Sequence, residues 1–394
     1  MNAIADELAH EREQESLIKR TSEKVWCMLC VSVAKTSRQF NLFLNHRRRS
    51  GFQFMIAKLF LALTTALFVS NTLVAESTKP MMKAIVIHEY GGPEVLKYED
   101  APRPEPKDNE ILVRVIAAGI NPVDGMIRAG MFAKNSKNAF PMVPGYDIAG
   151  IVEETGAKID KYKTGDAVYA YIGLNKGGGY AEYAVATDKE VSPKPKSLNF
   201  EEAAAVPLVA ETAWQALFDV AKLSAGQTVL IHGGSGGVGT FAIQIAKARG
   251  AKVIATASTA NQDLLKQLGA DVAIDYTKQK FEDIAKDVDV VMDTVGEDTL
   301  ARSYGVVKKS GFIVSLVARP DRAELEKHGI RGAPMSVVPN SDELAEITKL
   351  IDAKKVKVIV SQAFPLSDAV KAQEQAATGH TRGKIVLKVA EAPK

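Results

Sequence analysis

The segment Thr228-Val-Leu-Ile-His-Gly-Gly-Ser-Gly-Gly-Val-Gly239 passes from a short apolar run into a glycine-rich turn. Thr228–Ile231 reads as a buried strand, and the helical period that follows runs from about Val238 to Arg249. Between them Gly234, Gly236 and Gly239 have the spacing G-x-G-x-x-G. Each glycine has a physical task there: a tight turn, close approach of backbone to a pyrophosphate, and close packing of helix on strand. The helix start presents unpaired N–H groups and a partial positive charge, which suits phosphate oxygens. Gly234, Gly236 and Gly239 are therefore expected to hold a dinucleotide.

The pattern continues downstream. Lys252–Ala257, Val272–Ile274, Asp289–Asp293 and Phe312–Val317 read as strands, with helices expected over Asn261–Leu268 and Phe281–Ala285. Upstream, Glu201–Lys222 is helical in character with a break at Pro207. Short apolar strands alternating with helices predict a doubly wound parallel sheet covered on both faces. Dinucleotide folds that prefer NAD carry an acid at the end of the second strand, against the ribose hydroxyls. Here that strand ends Ala255-Thr-Ala-Ser-Thr259, with no acid along the chain until Asp263. A carboxylate about 5 Å from a 2′-phosphate would cost roughly 3 kcal/mol per unit phosphate charge at an effective dielectric near 20. Its absence favours NADPH, with the hydroxyls of Ser258 and Thr259 as donors to the phosphate.

Before this region the chain has another texture. Lys83–His88, Glu110–Ile116, Ala149–Glu153 and Ala167–Tyr171 are β-rich runs split by turn residues, predicting a mostly antiparallel β domain. Ser341–Lys354 reads as an amphipathic helix, and Gly383–Lys388 returns to strand character, so the tail is expected to rejoin the first domain. The organisation expected is a β domain over 81–205, a dinucleotide-binding domain over 206–338 and a return to the first domain over 339–394.

Residues 1–54 read as a poorly ordered extension or a non-native start. Over 55–80, Lys58 precedes an uncharged run, Leu59–Ala75, that resembles a signal peptide beginning at Met55 or a membrane anchor. Functional starts at Met1, Met55 and Met82 all stay open: the first two imply an anchored or exported protein and the last a cytoplasmic one. Membrane contact is expected only through residues 55–75. Cys27 and Cys30 are the only cysteines, and a single C-x-x-C without a second pair is weak as a metal or redox motif. With 46% hydrophobic residues and a net charge of +3, the composition is that of an ordinary globular protein, and nucleic acid is not implied.

With these residues in hand, the body resembles the medium-chain dehydrogenase/reductases, in the zinc-independent quinone oxidoreductase and enone reductase branch. The resemblance rests on Gly226-Gln227, Leu230, Gly234-Ser-Gly-Gly237, Gly239, Gln244 and Lys247. It is supported by Ala118-Gly-Ile-Asn-Pro-Val-Asp124, Pro144-Gly-Tyr-Asp-Ile-Ala-Gly150, Thr212–Leu217 and Lys266–Asp271. It covers Met82 to Val389 and implies a Rossmann domain inserted into a GroES-like β domain. It further implies Thr212 at the nicotinamide end, Gly236, Gly237 and Val238 at the pyrophosphate, Ser258 at the adenosine phosphate, Tyr276 near the adenine, Lys384 as a further cofactor contact, and a homodimer.

Zinc-dependent relatives carry a cysteine where this chain has Asn121-Pro122, and Gly-His-Glu where it has Gly145-Tyr146-Asp147. A catalytic zinc needs three protein ligands of the His, Cys or carboxylate kind, and from residue 31 onward the chain has no cysteine. No metal is expected. Without a Lewis acid, the natural hydride acceptor is a conjugated one: a quinone or an α,β-unsaturated carbonyl. Asn121 and Tyr146 are the polar groups expected at the former metal position, as substrate or nicotinamide contacts. Asp124 and Asp147 are expected to hold loops. In the enoyl thioester reductase cousins a tyrosine acts as acid; its nearest match here, Phe132, has no hydroxyl. Two alternatives stand beside this reading: an NADPH-binding redox-sensing or structural protein with little turnover, and an alcohol dehydrogenase.

Overall fold

The computed structural model describes residues 80–133 and 140–392. The expectations for residues 1–79, including the segment 55–75, Cys27 and Cys30, lie outside the described residues.

The β-rich first part forms a hairpin and a larger sheet. Strands β1 (Met81–Val86) and β2 (Lys97–Pro102) pair antiparallel. They are followed by β3 (Glu110–Gly119), β4 (Asp147–Thr155), β5 (Ala167–Tyr171), β6 (Tyr183–Thr187) and β7 (Val191–Pro193). β3 is the spine, buried at almost every position. One of its edges pairs with β4 along its length; the other is shared by β6, at residues 110–114, and by a strand from the chain's end, at residues 117–119. A strand covered on both faces needs apolar residues in succession rather than alternation, which Ile111–Val113 and Val115–Ala118 supply on either side of Arg114.

After β7 the chain builds a second sheet from β8 (Thr228–Ile231), β9 (Lys252–Ala257), β10 (Val272–Asp275), β11 (Val288–Asp293), β12 (Val307–Ser315) and β13 (Arg331–Pro334). Their order is β10-β9-β8-β11-β12-β13 and every pairing is parallel. This is the doubly wound arrangement, with its switch point between β8 and β11, where such sheets bind ligands. The chain then returns as β14 (Val360–Pro365) and β15 (Lys384–Lys388), and β15 pairs antiparallel with β3. The fold is thus a Rossmann sheet placed in sequence between the parts of a mostly antiparallel one.

The expected helical stretch Glu201–Lys222 is three pieces: Phe200–Ala204, Pro207–Trp214 and a π-helical turn, Gln215–Val220. Pro207 opens the middle piece, where its missing N–H would have no helical partner in any case. Further helices, which no sequence period announces, form at Pro122–Arg128, Glu297–Ser303, Arg322–His328 and Ala369–Ala377. The first three span only seven residues each, too short for a helical period to stand out. The Ser341–Asp352 helix shows its period plainly, burying Leu344, Ile347 and Ile351 below an Asn340 cap.

Candidate active site

The turn after β8 is held by backbone bonds to both neighbouring strands. The N–H of His232 donates to the Met292 carbonyl (3.0 Å) and that of Gly234 to the Thr256 carbonyl (2.8 Å). Gly236 is the N-cap of the Gly237–Ala248 helix, with extended backbone angles. The first-turn N–H groups of that helix have no carbonyl one turn earlier to bond.

The glycines divide the work. A methyl on Gly239 would overlap the Gly233 carbonyl oxygen and stand 2.7 Å from the Gly234 Cα. Gly239 is therefore a packing glycine. A methyl on Gly236 would meet only the Gly233 carbonyl oxygen, at 3.4 Å. Open space above free N–H groups is what a pyrophosphate requires.

Ser258 and Tyr276 come together at the ends of β9 and β10. The Tyr276 N–H donates to the Ala257 carbonyl (3.3 Å), its ring is exposed, and the Ser258 hydroxyl accepts from the Asn261 amide (3.2 Å). The expectation that no acid stands near this end needs correction. Asp275 lies beside Ala257 in the parallel register. Its carboxylate accepts from the Thr259 hydroxyl (2.6 Å) and from the Thr277 hydroxyl and N–H (2.7 and 3.1 Å), and Lys278 sits at 3.5 Å. The hydrogen bonds from Thr259 and then Thr277 hold it down at about 2, so it is ionised. Its lone pairs are engaged by the protein, which leaves it poorly placed to grip ribose hydroxyls.

On the β-domain side, Asn121 is the N-cap of the Pro122–Arg128 helix, and its side-chain amide is engaged elsewhere. That amide donates to Asp147 (2.9 Å) and accepts from the buried Lys384 ammonium, which also donates to the Ile120 carbonyl (2.6 Å) and lies 3.5 Å from Asp147. The second oxygen of Asp147 accepts from the Leu208 N–H (2.8 Å). Burial pushes the Asp147 carboxyl up, against the pull of Lys384 and its hydrogen bonds; burial pushes Lys384 down, against the pull of Asp147. Asp147, expected only to hold a loop, is the centre of this arrangement. Lys384, expected at the cofactor, instead has its ammonium bonded to protein groups on the β-domain side. Only its stem lies at the glycine turn, where a methyl on Gly237 would meet its Cδ at 3.1 Å. The same strand start is tied to the turn by the Gly383 N–H, donating to the Ser235 carbonyl (2.9 Å).

Tyr146 is buried, and burial raises its hydroxyl above the ordinary tyrosine range, so it stays a neutral donor. Thr212 donates its hydroxyl proton to the Leu208 carbonyl one turn earlier (2.6 Å), leaving lone pairs for a partner. Behind these, Asp124 accepts from the Tyr180 hydroxyl and the Asn121 N–H (2.8 Å), and burial pushes its carboxyl up to about 7. Beneath the glycine turn the buried His232 lies within hydrogen-bond reach of Thr256 (3.2 Å) and Ser303 (3.0 Å). Desolvation lowers it to about 4, so it is neutral. No motif pointed to His232: its partners lie 24 and 71 residues away.

Residues 107–196 match the alcohol dehydrogenase GroES-like domain family, and residues 268–387 the zinc-binding dehydrogenase family. The chain is 39% identical over 329 residues to 2-methylene-furan-3-one reductase of Solanum lycopersicum, covering 81% of this chain and 82% of that one. Among solved structures, the quinone oxidoreductase from Coxiella burnetii superposes with a TM-score of 0.74 at 39% identity, over 79% of this chain and 100% of that one. Escherichia coli quinone oxidoreductase, solved in complex with NADPH, superposes at 0.71 and 31% identity, over 78% of this chain and 100% of its own. The chain belongs to the medium-chain dehydrogenase/reductase superfamily of oxidoreductases. Within it, it groups with the quinone oxidoreductases and enone or alkenal reductases.

Proposed function

We propose that the protein is an NADPH-dependent reductase that delivers hydride to a quinone or an α,β-unsaturated carbonyl without zinc. The observation that carries this is the side-chain set at the head of β4. Where zinc-dependent relatives place metal ligands, Asn121 is bound to Asp147 and Lys384, and Tyr146 is a neutral buried phenol. Among the described residues, no group of three or more His, Cys, Asp or Glu could hold a metal ion. A conjugated acceptor needs no Lewis acid, because the charge that develops on its oxygen is spread by conjugation and stabilised by hydrogen-bond donors. The names of the relatives above support the same substrate class.

NADPH, when bound, supplies the hydride. The open turn at Gly236, with the N–H groups of Gly237, Val238 and Gly239, would hold its pyrophosphate. Ser258 would meet the adenosine phosphate and Tyr276 the adenine, with Asp275 restrained by its threonines. Thr212 would meet the nicotinamide end. Asn121 retains one amide N–H and Tyr146 its hydroxyl, and these are the donors we assign to the developing oxyanion. Phe132 offers no proton, so solvent or the cofactor ribose would supply the one that completes the product.

Purified protein should oxidise NADPH with quinones, alkenals and enones, and a chelator should leave the rate unchanged. Tight NADPH binding with no turnover of any acceptor would instead favour a redox-sensing or structural protein. Stoichiometric bound zinc would favour an alcohol dehydrogenase. We also read the chain as a homodimer, for which the free edge of β13 is a pairing surface; sedimentation tests this. Residues 55–75 we read as an export signal or anchor, and N-terminal sequencing of the native protein tests that.

A further inference from the structure

Glu211 is fully buried in the middle of the Pro207–Trp214 helix. One of its carboxyl oxygens accepts from the Asn340 N–H (2.8 Å), and the other is buried with no partner. Among the described residues it forms no ion pair with any Lys, Arg or His. The groups that face it are Asp147 of β4, Tyr169 and Tyr171 of β5, Glu190 before β7, and Glu343 of the following helix. None is a cation. The unpartnered oxygen is walled in, so a substrate in the cleft does not reach it.

The placement of Glu211 gives it leverage. Leu208, Glu211, Thr212 and Gln215 share one face of the helix by their spacing. At the start of that face the Leu208 N–H is bonded to Asp147. At its end Gln215 bonds both the N–H (3.1 Å) and the carbonyl (2.8 Å) of Val338, and also Glu343 (2.8 Å). Residues 338–343 are the stretch by which the chain leaves the Rossmann sheet and returns to the β domain. Glu211 and Gln215 are its two fastenings to the helix that carries Thr212.

We propose that Glu211 is a positioning residue: as a neutral carboxylic acid it fastens the returning chain at Asn340 to the Thr212 helix, and loss of its proton loosens that fastening and the hold on the nicotinamide end. The last step rests on the NADPH reading above. An ionised carboxylate here would have one N–H for company and three other acids around it. Water would have to enter to solvate it, and water enters only if helix and returning chain separate. Burial raises the carboxyl well above the ordinary glutamate range, against the one pull of Asn340.

Two variants test this. Glu211→Gln keeps a carbonyl for Asn340 and cannot ionise; Glu211→Leu removes the fastening at every pH. Without cofactor, unfolding is followed from about pH 4 to pH 9. A group with a raised folded pKa stabilises most below its unfolded pKa, and that contribution is lost as pH rises through the folded value. The wild-type folding constant should therefore fall relative to Glu211→Gln by up to tenfold per pH unit within that window; a pH-independent ratio would overturn the proposal. With NADPH, Glu211→Gln should bind within about twofold of wild type at pH 7 and Glu211→Leu about tenfold more weakly. Wild type should then weaken at about pH 9.5 more than Glu211→Gln does. Equal losses in both variants at pH 7 would overturn it. In the unaltered protein, amide-exchange protection of Asn340, corrected for intrinsic base catalysis, should fall with rising pH, and constant protection would overturn it. Failure of all three proteins to bind NADPH would overturn the cofactor reading and the last step with it, while the cofactor-free measurements decide the fastening by themselves.

Discussion

Two substitutions within one motif should separate binding from folding. In Gly236→Ala the new methyl meets nothing closer than the Gly233 carbonyl oxygen at 3.4 Å, and the backbone angles of −77° and 176° suit alanine. A compatible Gly→Ala change gains about 0.4–1 kcal/mol from the unfolded chain, and alanine gives back about as much as a poor N-cap. The cofactor-free protein should therefore melt where wild type does. The methyl nevertheless occupies the space assigned to the pyrophosphate, and a misfit of about 1–3 kcal/mol raises the Kd roughly 5- to 150-fold. Gly239→Ala should do the opposite. Its methyl overlaps the Gly233 carbonyl and approaches the Gly234 Cα at 2.7 Å, both of them backbone held by strand bonds. Overpacking of that kind costs about 1–3 kcal/mol, lowering Tm by roughly 2–10 °C in a domain of this size. Thermal unfolding without cofactor and a fluorescence titration with NADPH read the two effects apart. Wild-type NADPH affinity in Gly236→Ala, or wild-type stability in Gly239→Ala, would refute the division.

Lys384→Met should destabilise the protein by about 3–5 kcal/mol, because it leaves Asp147 and two buried acceptors uncompensated; denaturant unfolding measures this, and a loss below about 1 kcal/mol would refute the buried pair. Ala257→Asp should shift preference from NADPH toward NADH, measured as the ratio of kcat/KM values, and unchanged selectivity would remove Ser258 from the adenosine phosphate. His232 is held near a pKa of about 4 by burial. A depressed folded pKa means its contribution is whole above the ordinary histidine value and is lost as pH falls toward 4, by about 3 kcal/mol in all. His232→Gln should flatten that acid limb of the unfolding profile.

The parts of this protein that were legible in the chain are those whose physics is local. A strand, a glycine turn and a helix follow one another without interruption from Thr228 to Ala248, so spacing alone announces this unit of the parallel sheet. The Leu344, Ile347, Ile351 stripe announced its helix in the same way. The missing cysteines were likewise readable as composition. Short helices such as Pro122–Arg128 were not, because seven residues give too few turns for a period.

The site itself depended on proximity that no local pattern encodes. Asp275 stands beside Ala257 because parallel strands align their ends, although it belongs to the next strand along the chain. Lys384 reaches Asn121 across 263 residues because β15 pairs with β3, and that contact ties the Asn121 amide into a buried charge network. Glu211 looks like any helical glutamate until packing buries it among Asp147, Glu190 and Glu343. Backbone geometry is governed by neighbours a few residues away, and so it can be read from order. Protonation and hydrogen-bond partnership are governed by whatever folding brings within a few ångströms, and here that was settled only when the end of the chain returned to its beginning.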